Sequence, residues 1–213
     1  MVTKEKKPKK SSKEAEPMKL FYIFYNQERW DNWIKSLTDA DFTGDSESED
    51  MPEGYKLLFT FNQDICLSVL KIIKMYQNER FTEQETLDKI NDVEQIVMGQ
   101  QPEGEIAEII NSLQLSMLVL FNACRIYISN NYEKDIKTLV KKGRSIDEEN
   151  MEELLETAGQ IGANVIDGKS CCGRYLRANA DPGLFDEWLI EIETMSEAIH
   201  SLKKFDESHG DKK

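Results

Sequence analysis

The apolar residues between Glu105 and Ile128 follow the period of an α-helix over the whole segment. Their spacing alternates between four and three residues, and the resulting seam consists of Ile106, Ile110, Leu113, Met117, Leu120, Cys124 and Tyr127. This spacing places the side chains on one helical face. A second apolar stripe contains Leu115, Leu118, Val119 and Ile126. The pattern therefore predicts a central helix, at about 105–128, that other helices enclose.

The other periodic segments are amphipathic, as expected for helices that surround such a core. They predict helices at 27–37, 61–76, 82–97, 135–142, 145–165 and 181–204. Thr82 with Glu85, and Ser145 with Glu148, have the spacing of capping boxes, and Asp181 precedes Pro182 as an N-cap. The apolar run from Tyr55 to Phe61 suggests a short strand before the second helix begins. We predict an all-α, single-domain bundle of six to seven helices.

Charge divides the chain into a basic tail and an acidic body. The formal charge is −13, but residues 1–17 carry six lysines and three glutamates, so the tail is +3 and the remainder is −16. We predict a disordered basic tail at 1–17, a helical domain at 18–205 and a disordered C-terminal tail at 206–213. An acidic surface repels phosphate, so only the tail is a candidate for RNA contacts. The candidate residues are Lys4, Lys6, Lys7, Lys9 and Lys10.

The sequence predicts a cytoplasmic protein. The longest uncharged run of the central helix has 16 residues, from Ile109 to Cys124, and contains three amide side chains. A membrane span requires roughly 18–20 apolar residues, and the N-terminus has no apolar segment typical of a secretory signal. The four cysteines show no CxxC spacing, which favours reduced thiols over a zinc site.

Residues 163–170, ANVIDGKS, fit a permissive phosphate-loop pattern that ends in Gly168, Lys169 and Ser170. A phosphate loop follows a buried strand and uses flexible glycines to direct backbone N–H groups at phosphate. Here the preceding segment is an amphipathic helix, and Val165 and Ile166 occupy the position of the cradle. We therefore interpret the segment as a helix that ends at Asp167–Gly168.

Two further patterns suggest ligand sites. Asp39–Asp50 has oxygen-bearing residues at calcium-loop spacing, but Asp50 replaces the final glutamate and Pro52 interrupts the exit helix, so we interpret it as a solvated acidic loop. Trp30 and Trp33 are interpreted as core residues.

A ligand or reactive-thiol cluster is the remaining candidate, because cations near a cysteine stabilise its thiolate. Its members are Asp167, Lys169, Cys171, Cys172 and Arg174.

Several segments together resemble an uncharacterised archaeal family, domain of unknown function 2150. They are ERWDNWI at 28–34, QDICLSVLKIIKMY at 63–76, SLQLSMLVLFNACRIYI at 112–128, VIDGK at 165–169 and EWLIEIETMSEAI at 187–199. The resemblance covers about residues 26–200. It implies a cytoplasmic archaeal protein, and it implies no activity or catalytic residue.

The sequence favours a non-enzymatic helical protein that acts as an adaptor or regulator of a protein partner. Only two histidines are present, and we identify no catalytic residue, cofactor site or metal ligand set. One alternative is an RNA- or ribosome-associated factor that uses the lysine-rich tail. A second alternative is a small-molecule or metal-dependent enzyme with its site near 167–177. Homodimerisation through unpaired apolar stripes is compatible with all three.

Overall fold

The chain forms a helical bundle. The computed structural model describes residues 24–43, 50–100, 103–171, 173–176 and 182–210, with the side chains of the last helix described up to residue 202. Within these ranges there are seven helices and no strand. The helices are α1 (Gln27–Thr38), α2 (Glu53–Gln77), α3 (Glu83–Met98), α4 (Ala107–Ser129), α5 (Ile136–Gly143), α6 (Met151–Ile166) and α7 (Leu184–Gly210). The predicted all-α fold class is confirmed.

Helix α4 occupies the centre of the bundle, where it packs against α2, α3, α6 and α7. Ile110, Met117, Leu120 and Cys124, all from the predicted seam, are fully buried. Helix α5 packs on α6, and α1 packs on α2 and α3. The apolar seam therefore has the structural role that its spacing predicts, and the helix begins and ends within two residues of the predicted bounds.

By length and composition alone, α4 could also cross a membrane, which the sequence argument had excluded. The best window of the 23-residue helix has a mean hydropathy of 1.4, and 56% of that window is buried inside the protein. A buried core helix of a soluble protein meets the same criterion, so the finding is weak evidence for a span.

One of the two predicted capping boxes is present. The Thr82 side chain accepts a hydrogen bond from the Glu85 backbone N–H, and the Glu85 carboxylate accepts one from the backbone N–H of Thr82. The box at Ser145 was wrong, because α6 begins at Met151 with Asn150 as its N-cap. Asn150 accepts from the backbone N–H of Glu153, an arrangement that satisfies the first turn equally well.

The predicted strand at Tyr55–Phe61 was also wrong. Helix α2 already begins at Glu53, after Pro52, and continues without a break for 25 residues. Pro52 suits this position because the start of a helix needs no backbone N–H from it. The predicted cap at Asp181, and residues 44–49 of the acidic loop, lie outside the described residues.

Candidate functional site: an apolar groove between three helices

A large surface groove lies between the first turns of α2, the first half of α4 and the first turns of α7. We call it the α2–α4–α7 groove; its volume is about 1020 Å³. Five large hydrophobic side chains are exposed among the described residues, and four of them line this groove. These four are Met51, Tyr55, Phe59 and Ile190, with 59%, 46%, 52% and 49% of their surface exposed.

Contacts between neighbouring elements hold the walls of the groove in place. The indole Nε1 of Trp188 donates a hydrogen bond to the Leu115 carbonyl oxygen at 3.0 Å, which fixes α7 against α4. Tyr55 packs edge-on against Phe42, with ring centroids 5.3 Å apart. The Phe42 ring also lies directly against Gly54, where a Cβ atom would come within 2.7 Å of it. The start of α2 is therefore anchored while Tyr55 and Phe59 stay exposed.

The floor of the groove contains a polar pair, the buried Glu191 and the half-buried Asn62. Glu191 is only 5% exposed. The Asn62 Nδ2 donates a hydrogen bond to Glu191 Oε2 at 2.8 Å, linking α2 to α7. The other oxygens of the pair, Glu191 Oε1 and Asn62 Oδ1, are buried and have no hydrogen-bond partner in the part of the chain that the structure describes. Buried acceptors without a donor are costly and rare.

Burial also changes the acidity of this carboxyl. It raises the pKa of Glu191 to about 7, against the smaller lowering effect of the hydrogen bond from Asn62. Cys66, fully buried on α2, is close enough for the Glu191 charge to add to the effect of burial in raising the thiol pKa. A buried ionisable group with a shifted pKa in a concave apolar site is a common property of functional sites.

Sequence reasoning missed this groove, although a signal was present. Met51, Tyr55 and Phe59 are spaced by four residues, which places the latter two on one face of α2. Tyr55 and Phe59 were interpreted as part of a strand. It was therefore not recognised that they lie on a different face of α2 from its buried seam. Glu191 follows Trp188 by three residues and precedes Met195 by four, and both neighbours are fully buried. Its place on the buried face of α7 was therefore readable from helical spacing.

The predicted cluster near Asp167 contains a structural network. Helix α6 ends at Ile166, as the sequence indicated, and Gly168 follows with a φ of +96°, which glycine adopts readily. The backbone N–H groups of Gly168 and Lys169 donate to the carbonyl oxygens of Val165 and Asn164. These amides therefore close the helix, which leaves them without a free hydrogen to direct at phosphate.

Three described members of the cluster, Asp167, Lys169 and Arg174, contact different partners. Asp167 pairs with Lys134 at 3.3 Å, and the Lys169 Nζ donates to the Asn164 side chain. The Arg174 guanidinium lies over the Tyr175 ring, 4.9 Å from its centroid. Cys171 is disulfide-bonded, so its sulfur is not a thiolate here. Cys172 lies outside the described residues.

The two remaining patterns have structural explanations where they are described. Trp30 is buried against Phe61, and Trp33 stacks on the same ring at a centroid distance of 5.3 Å. Asp41, in the acidic loop, accepts hydrogen bonds from the backbone N–H and the hydroxyl of Thr43, which lower its pKa. Among the described residues, no group of three or more histidine, cysteine, aspartate or glutamate side chains is arranged to hold a metal.

The lysine-rich tail lies outside the described residues, so its RNA contacts stay a prediction.

Comparison with known proteins confirms the resemblance seen in the sequence. A family model described as an uncharacterized protein conserved in archaea, domain of unknown function 2150, matches residues 23–208. No curated protein and no solved structure matches the chain.

Proposed function

We propose that this chain, which belongs to the archaeal family of domain of unknown function 2150, is a non-enzymatic adaptor of the cytoplasm. Its α2–α4–α7 groove binds a basic amphipathic helix of a partner protein. The observation that carries the proposal is the gathering of Met51, Tyr55, Phe59 and Ile190 in one groove. Exposed apolar side chains occur singly on most protein surfaces, whereas a contiguous group marks an interaction site.

The shape of the groove favours a helix as its occupant. Its walls are themselves helices. Two of its exposed side chains, Tyr55 and Phe59, are four residues apart on α2, which is a helical spacing. An amphipathic helix binds such a groove by inserting apolar side chains at positions three and four residues apart. A flexible methionine and two aromatic rings provide contact area that adapts to the partner. The groove volume of about 1020 Å³ leaves room for several such side chains.

Charge favours a basic partner. Glu108 and Glu187 are exposed and line the groove, and Lys56 is the single cation that contributes to its lining among the described residues. Beyond the lysine-rich tail, the chain carries a formal charge of −16. Lysine or arginine residues beside the apolar face of the partner would therefore approach a complementary surface, which speeds association and discriminates against acidic helices.

A matched pair of variants tests the proposal. Phe59→Ser removes a large side chain from the groove, whereas Met151→Ser removes the fifth exposed hydrophobic side chain, which lies outside it. The tagged full-length chain and both variants are used to capture proteins from a native archaeal lysate, with identification by mass spectrometry. A basic amphipathic segment of the captured protein is then synthesised, and its Kd is measured by fluorescence anisotropy.

We expect wild type and Met151→Ser to bind the same segment, and Phe59→Ser to bind it at least about tenfold more weakly, as loss of a central aromatic contact typically costs. Equal capture by Phe59→Ser would refute the groove as the binding surface. Failure to capture any stoichiometric protein, or capture of an acidic segment, would also contradict the proposal. Dimerisation of the wild type that Phe59→Ser abolishes would identify a second copy as the occupant instead.

A further inference from the structure

Two buried oxygens of residues at the floor of the groove, Glu191 Oε1 and Asn62 Oδ1, indicate what the partner helix presents there. Both atoms are covered in the free protein, so the Glu191 or Asn62 side chain rotates when a partner group reaches them. We propose that one lysine or arginine side chain of the partner enters the α2–α4–α7 groove and is bound by Glu191 and Asn62. This inference rests on the proposed function and specifies its recognition chemistry. It assigns the polar pair a role in selecting the partner, beyond its contribution to packing α2 against α7.

The first argument is hydrogen-bond accounting. Glu191 Oε1 and Asn62 Oδ1 are both acceptors, both are buried, and neither has a donor within the described residues. The single hydrogen bond between the two side chains uses the other carboxylate oxygen and the amide nitrogen of Asn62. When Glu191 is ionised, the pair therefore has two acceptors without a donor, whereas the hydrogen of the protonated carboxyl can serve one of them. An ammonium or guanidinium group carries several N–H donors and no acceptor, so it complements both oxygens.

The second argument is the charge around the pair. Besides Glu191, the titratable residues that line the groove are Glu187 on the same helix, Glu108 on α4, and Tyr55 and Lys56 on α2. The Cys66 thiol is neutral near pH 7, because burial and the Glu191 charge raise its pKa well above the ordinary value. The acidic groups outnumber the one lysine, so an incoming cation is favoured and an anion is disfavoured.

The third argument is the protonation state of the free protein. With a pKa of about 7, the Glu191 carboxyl is close to half protonated at neutral pH. A cation binds the ionised form, so its arrival displaces a proton from the groove. Binding of a basic side chain is therefore weaker where the carboxyl is protonated, and its affinity rises by about tenfold between pH 6 and pH 8.

Two synthetic amphipathic helices test the inference. They share leucine on the apolar face and lysine and glutamine elsewhere, and they differ only at the central position of the apolar face, which is lysine in one and norleucine in the other. Fluorescence anisotropy gives the Kd of each peptide for the full-length wild type, Glu191→Gln, Glu197→Gln and Phe59→Ser. Glutamine keeps the shape of residue 191 while removing its charge, and Glu197 is the control because it is an exposed carboxylate of α7 that does not line the groove.

At pH 8 we expect the wild type and Glu197→Gln to prefer the lysine peptide by about tenfold, the size of a charge-assisted hydrogen bond. Glu191→Gln should lose this preference and the added pH dependence. Equal affinity of the wild type for both peptides, with Phe59→Ser weakening both, would overturn the basic anchor and leave the groove proposal standing. A preference retained in Glu191→Gln would overturn the anchor as well. If neither peptide binds the wild type, the inference and the proposed function both fail.

Discussion

The Oδ1 atom of Asn164 lies 2.8 Å from the Nζ atom of Lys169, just beyond the end of α6. The same asparagine donates from Nδ2 to the carbonyl oxygens of Glu133 and Gln160, each at 2.8 Å. Lys169 in turn donates to the carbonyl oxygen of Lys134 at 2.6 Å. One fully buried asparagine and one lysine thus attach the extended segment before α5 to the C-terminal end of α6. This gives the VIDGK segment a structural role.

Asn164→Ala should lower the free energy of unfolding by about 2–3 kcal/mol, because it leaves buried polar groups without their partner. Urea denaturation monitored by circular dichroism measures the change. Lys134→Met is the control, since the Lys134–Asp167 pair is nearly half exposed on both sides and should contribute much less than the buried Asn164. Similar losses in the two variants would argue against the special role of Asn164. Peptide binding to the groove should be unaffected in both.

The contact between α4 and α6 depends on a glycine that has no room for a side chain. A Cβ atom on Gly162 would lie 2.6 Å from the Cβ of Ala123, which is attached directly to the backbone of α4. Alanine is favoured over glycine in a helix by about 1 kcal/mol, so the intrinsic effect of the substitution opposes the steric one. The close approach of two helix backbones decides the outcome.

Gly162→Ala should therefore destabilise the protein by about 1–3 kcal/mol despite the better helix propensity. The compensating double variant, Ala123→Gly with Gly162→Ala, moves the methyl group to the other helix and should recover part of the loss. Thermal unfolding of both variants measures the difference. A Gly162→Ala protein as stable as wild type would show that α4 and α6 can separate without cost.

Helical periodicity was sufficient to predict the elements that face the core. The seam through Ile110, Met117 and Leu120 identified the central helix because a fully buried helix must repeat its apolar positions every three to four residues. The end of α6 at Asp167–Gly168 was also readable, since glycine is the residue best suited to a positive φ. Local rules were less reliable at Ser145, where Asn150 provided an equally good cap five residues later.

The candidate site could not be predicted in the same way, because it forms between helices that are distant along the chain. Asn62 and Glu191 are separated by 129 positions, and their pairing depends on how α2 and α7 pack. The spacing of Tyr55 and Phe59 indicated a second apolar stripe on α2, but it did not show that no neighbouring helix covers it. That property depends on helix order in space, which periodicity does not determine.

Glu191 should make the free protein less stable as pH rises. An ion-paired carboxylate, whose pKa is lowered, would have the opposite effect. Its pKa is about 7 in the folded state and near the ordinary value of 4.5 when the chain is unfolded. Between these values the folded state binds more protons, so the free energy of unfolding falls as pH rises and levels off above pH 7. The full change from this group is about 3 kcal/mol.

Glu191→Gln should remove this contribution and be more stable than the wild type at pH 8, because a neutral amide is buried at lower cost and can exchange two hydrogen bonds with Asn62. Chemical denaturation of both proteins at pH 5, 6, 7 and 8 measures the difference in slope. Glu187→Gln, whose carboxyl is exposed, should keep the wild-type pH dependence. If Glu191→Gln also keeps the wild-type slope, the carboxyl at the floor of the groove is ionised at little cost. A donor from the partner would then not be needed to stabilise it.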